Sequence, residues 1–256
     1  MDATEVRGWR NELTKFASRW WAGESEVART FFAAPRSKEE HLRWLWLQAY
    51  KELQPRTDGI IIRLIEKLHA EYPELEAGVD RTDFLGTIQF LEEEFRHYVL
   101  FADIIQHLLG RPITIPEVAK YEYEQENKLR MLRRSYAEEH GALARFASSF
   151  CEGGGASIYY EGSRIGGDPV SDAVARACKG VYDDEVDHAA HGADELAGAS
   201  NSEADWKLAH EMVAAISAQR LRMRNEQFGF PLSDERVAQI DRGEIELPER
   251  LARFIV

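Results

Sequence analysis

Phe90-Leu91-Glu92-Glu93-Glu94-Phe95-Arg96-His97 is the stretch on which the fold turns. On an α-helix residues three apart project from one face, so Glu94 and His97 point together. Phe90, Leu91, Phe101 and Ile104 share that face, which places both polar side chains on an apolar stripe. An isolated buried charge is too costly to persist, and a metal ion is one group that compensates a carboxylate and an imidazole together. Asp183-Asp184-Glu185-Val186-Asp187-His188 repeats the spacing 91 residues later, with Val181, Val186 and Ala189 around it. A single Glu-x-x-His arises by chance on many charged helix faces. Two copies, each preceded by an acid and each on a long helix, point to metal ligation.

Outward from these motifs almost the whole chain reads as helix. Apolar residues recur at i, i+3, i+4 and i+7 in segments punctuated by proline and glycine. The pattern predicts helices near 4–32, 37–54, 57–72, 82–109, 117–165 with one or more breaks, 169–198, 201–228, and short pieces toward the C-terminus. Gly110-Arg111-Pro112 supplies a stop signal, and Asp168-Pro169 a start signal with proline at the first helical position. No segment alternates β-branched and polar residues, and Ile113-Thr114-Ile115, between two prolines, reads as a connector. With 256 residues and no evident linker, the expected organisation is one all-α domain, its metal-binding bundle spanning about residues 40–200.

Composition removes several function classes. A net charge of −13 opposes binding to phosphate backbones, because that affinity comes largely from Lys and Arg releasing counterions. The basic stretch Lys128 to Arg134 alternates with apolar positions and reads as a solvated face. No run approaches 18 apolar residues, so no membrane span is expected. The start, MDATEVRGWR, lacks the layout of a secretory signal, and a cytoplasmic location is expected. Cys151 and Cys178 form no Cys-x-x-Cys pair and read as buried thiols.

Glu93-Glu94-Phe95-Arg96-His97 and Asp184-Glu185-Val186-Asp187-His188 resemble the ligand motifs of the ferritin-like di-iron carboxylate family, in which two helices give a Glu each and two give Glu-x-x-His. The resemblance implies a ferritin-like up-down helical bundle, here with additional N- and C-terminal helices. Haem-oxygenase-like di-iron oxidases, which share helical content, length and ligand order, are the alternative. It implies two iron ions, or manganese or a mixed Mn/Fe pair, held by Glu94, His97, Glu185, His188 and one carboxylate from the helix before each motif. For the second motif that carboxylate is Glu152, 33 residues before Glu185 and beside Phe146, Ala147 and Phe150. For the first, Asp58 is chosen over Glu52 and Glu66, because it lies beside the stripe of Ile61, Ile62, Ile65 and Leu68. Glu93 and Asp184 are candidates to accept the second N–H of a ligand histidine, and His191 to support the site.

The function so implied is oxygen activation for a two-electron oxidation, such as hydroxylation, N-oxygenation or desaturation. The partners would be O2, a small organic substrate and a separate reductase, with room for a homodimer. Iron storage and a non-catalytic helical interaction protein are the competing classes. Gly153-Gly154-Gly155, directly after Glu152, costs a helix roughly 1 kcal/mol per residue relative to alanine. The reading is an irregular helix that keeps space open beside the metals, so that Gly154→Ala would slow the oxygen reaction and leave metal binding intact.

Overall fold

Capping side chains and left-handed glycines end the helices. Ser37 and Glu40 form a reciprocal capping box, Ser37 Oγ accepting from Glu40 N at 3.2 Å and Glu40 Oε2 from Ser37 N at 2.8 Å. Asp168 Oδ1 accepts from Val170 N and Ser171 N at 2.9 and 3.1 Å ahead of Pro169. Gly110, at φ 68°, closes the longest helix of the central segment, its N–H reaching Gln106 O at 2.8 Å.

The computed structural model describes residues 3–200, 202–249 and 251, with the side chains of residues 3 and 186–191 outside the description. All regular elements among them are helical; the one β-type contact is an isolated bridge from Leu75 to Val79. In chain order they are α1 (Ala3–Phe32), α2 (Lys38–Leu53), α3 (Ile60–Glu71), α4 (Arg81–Leu109), α5 (Ile115–Val118), α6 (Glu124–Phe150), α7 (Gly153–Gly162), α8 (Pro169–Ala199), α9 (Glu203–Gln227) and α10 (Asp234–Asp241), with short 3₁₀ turns after α3 and α5. The predicted 117–165 segment is thus broken more than once, running through the end of α5, its 3₁₀ turn, α6 and α7. Gly141, at φ 58° and ψ −122°, kinks α6, and Cys151–Glu152 form a turn before α7. No described helix is long and apolar enough to cross a membrane.

The chain divides into two compact units. The first joins residues 1–35 to 123–256, and the second is the intervening segment 36–122. The boundary falls inside the 40–200 stretch, so Glu94 and His97 belong to one unit and Glu185 to the other. Both crossings adjoin helix starts, at α2 and α6, which is why no Gly/Ser/Pro-rich linker marks them.

In the first unit α1 packs on α7 and α9, and α6 on α8 and α9. Trp21, Phe150, Tyr159, Leu196, Trp206 and Met212 are fully enclosed there. In the second, α4 packs on α2 and α3. Trp44 of α2 meets Phe101 of α4 edge to face, with ring centroids 6.0 Å apart, and Leu45, Ala49 and Ile105 fill the same seam without exposure. Gly86 lies exposed within α4, and an added methyl there meets nothing within 4 Å. Gly86→Ala is therefore expected to stabilise the chain by up to about 1 kcal/mol, read as a rise in the urea midpoint at constant slope.

Candidate metal centre

On α2, residues 41, 45, 48 and 52 form one helical stripe, and it carries the buried polar groups His41, Gln48 and Glu52 among apolar neighbours. Trp44 meets Phe101, while Glu52, two turns further along α2, lies near Glu94 and His97, earlier on α4. The two helices therefore run antiparallel, and this register sets two carboxylates and an imidazole at one height. One ligand atom from each of Glu52, Glu94 and His97 lies within 4.8 Å of the other two. Glu52 and His97 are 2% and 1% exposed, and Glu94 is half-buried. Glu52 Oε1 accepts from Gln48 Nε2, and Lys51 Nζ is 3.2 Å from the same oxygen.

Two carboxylates and one imidazole, with no thiolate, make a donor set suited to iron or manganese. Burial supports the assignment. Two acids and an imidazole packed this closely, two of the three buried, form a site whose charge a cation would compensate, and Lys51 Nζ contacts Glu52. The residues present thus fit a divalent metal.

The structure brings Glu52, not Asp58, to this cluster. Asp58 sits in the turn before α3, its side chain 44% exposed and 3.5 Å from Arg56 Nε. Glu66 is exposed on α3. Spacing along the chain points to the helix directly preceding the motif, but α3 intervenes in sequence and the carboxylate beside Glu94 and His97 comes from α2. The α2 stripe was the available signal, since Glu52 follows Leu45 and Gln48 on the face that carries His41. Glu93 is half-buried on α4.

In the other unit, Glu185 is 8% exposed on α8 and Asp184 half-buried, while His188 and His191 lie outside the described residues. Glu152 occupies the turn between α6 and α7, its side chain 37% exposed and 3.9 Å from Arg133 Nη2. The three glycines that follow admit close neighbours. A methyl on Gly153 would meet Trp21 at 2.8 Å, and one on Gly154 would meet Glu24 Oε1 at 2.0 Å. At Gly155 it would lie 3.4 Å from Arg220 Nη2, 3.6 Å from Glu185 Oε2 and 3.7 Å from Arg224 Nη2.

Sequence reasoning missed this buried charge cluster. Glu24 of α1, with no exposed side-chain area, faces Arg220 Nε at 3.2 Å and Arg224 Nε at 3.4 Å. Arg224 Nη1 also donates to Gln227 Oε1 at 2.8 Å. Burial and the neighbouring Arg224 work against the charged form of Arg220, but Glu24, with help from Glu152, more than offsets them and raises the guanidinium above its ordinary range. Two guanidiniums share the one Glu24 carboxylate, and Glu152 also acts on Arg220, while Glu185 borders Gly155 as they do. Arg220 and Arg224, four apart and continuing the helical stripe of Ala209, Val213 and Ile216, were the sequence signal. Cys151 lies beside them with Ser217 Oγ at 3.4 Å, and burial pushes its thiol up to about 11, so it carries no thiolate at neutral pH.

No family model matches the chain, and no curated protein and no solved structure matches it either.

Proposed function

We propose that the chain is a non-haem iron oxidoreductase with a metal held by Glu52, Glu94 and His97. The observation that carries this reading is the approach of three ligand atoms to within 4.8 Å, two of the three residues being almost wholly buried. Iron bound there would supply oxygen activation for the two-electron oxidation of a small organic substrate, with electrons from a separate reductase and the cytoplasm as its compartment. The chain's own contribution is to bind and orient. Glu52 and Glu94 neutralise the cation, His97 adds a borderline nitrogen donor, and the Trp44–Phe101 contact one to two turns along the seam is apolar and closed.

The paired motifs support two ions per chain, one of them in the 36–122 unit. An anaerobic Fe(II) titration, repeated with Mn(II), tests this. Uptake of about two ions is expected from the two motifs, with one lost in His97→Ala. A chain that takes up neither metal would overturn the proposal. Saturation at one ion, abolished by His97→Ala, would instead favour the second reading that the surroundings of Glu185 support, in which that carboxylate serves Arg220 and Arg224 as a counter-ion.

A further inference from the structure

We infer that Gln48 is a positioning residue of the metal centre, holding the Glu52 carboxylate in the orientation from which it reaches the ion. The inference rests on the metal reading above and concerns a residue that does not itself belong to the ligand cluster. Gln48 has no exposed area, stands one helical turn before Glu52 on α2, and donates through Nε2 to Glu52 Oε1. An amide wholly buried in a helix seam is costly unless it is used. An apolar side chain of similar size would fill the same volume without that cost, so packing alone does not account for it.

What the amide adds is direction. A glutamate side chain has three rotatable bonds, and the last is a broad, roughly two-fold torsion, so an unsupported carboxylate turns easily. Lys51 contacts the same oxygen, but its side chain is 17% exposed and its ammonium is a point charge on a flexible stem that attracts the carboxylate from many directions. Gln48 comes from within the seam and holds one oxygen, so that the carboxylate stays within reach of Glu94 and His97. Partners of this kind, which touch a ligand and not the metal, typically change metal affinity by roughly 10- to 100-fold.

The test is Mn(II) binding to the full chain, followed through the electron paramagnetic resonance of free Mn(II), in wild type, Gln48→Met and Lys51→Met. Methionine keeps the length of glutamine and removes the donor. Gln48→Met is expected to weaken Mn(II) binding by roughly 10- to 100-fold while the metal-free chain melts as wild type does. Lys51→Met is expected not to weaken Mn(II) binding, since it removes a positive charge that competes with the ion for the Glu52 carboxylate. If Gln48→Met fails to fold, Gln48→Asn is the replacement, since it keeps the amide but falls one methylene short of Glu52, and it should show the same loss. Wild-type affinity in whichever of the two folds would overturn the inference and leave the metal site standing. A wild-type chain that binds no Mn(II) and no Fe(II) would overturn the metal reading and this inference with it.

Discussion

Replacing Glu24 by glutamine is expected to destabilise the chain by about 3–5 kcal/mol, the range found when one partner of a buried ion pair is removed. The Glu24 carboxylate receives Arg220 and Arg224 at once, and none of the three side chains is more than 3% exposed. Without its charge, two buried guanidiniums lose the carboxylate they share, and guanidinium does not escape by losing its proton. An amide oxygen keeps one hydrogen bond and supplies no charge. The loss should be read in urea as a lower midpoint at constant slope. A companion substitution tests the charge count, because Glu24→Leu with Arg224→Leu removes the acid together with one of its two guanidiniums, keeps Glu152 acting on Arg220, and should recover at least half of the loss. A cost below about 1 kcal/mol for Glu24→Gln would show that the cluster is reached by water and that the buried-charge argument does not hold.

Gly154→Ala should also destabilise, by about 2–3 kcal/mol, although helix propensity alone favours alanine by roughly 1 kcal/mol. The added methyl would lie 2.0 Å from Glu24 Oε1 and 2.5 Å from Glu24 Cδ. A flexible acid would swing aside, but this one is held from two directions by Arg220 and Arg224. Either the carboxylate leaves its guanidiniums or α7 moves off α1. The triple glycine is therefore a contact surface for α1, with Gly153 against Trp21 and Gly154 against Glu24, a role beside the space-keeping one expected from the sequence. Thermal melting of Gly154→Ala beside Gly86→Ala gives the comparison, and the two should shift in opposite directions. A Gly154→Ala chain as stable as wild type would mean that α1 and α7 do not approach this closely.

Local chemistry determined the all-helical class, because a 3.6-residue apolar period, caps at Ser37 and Asp168 and a left-handed glycine at Gly110 act within a few residues of one another. The same locality made Glu94 and His97 legible as a pair, since one helix turn fixes their common direction. Which carboxylate joins them depends on which helix α4 packs against, and no spacing rule contains that. The antiparallel seam of Trp44 and Phe101 selects Glu52, while Asp58 goes to Arg56 in an exposed turn. The division into two units is likewise a product of packing, because α1 finds its partners in α7 and α9, more than a hundred residues away. The three glycines show the limit most plainly. Their intrinsic cost is written in the sequence, but its compensation lies in Trp21 and Glu24 on another helix, and only the tertiary structure brings those side chains to the backbone that makes room for them.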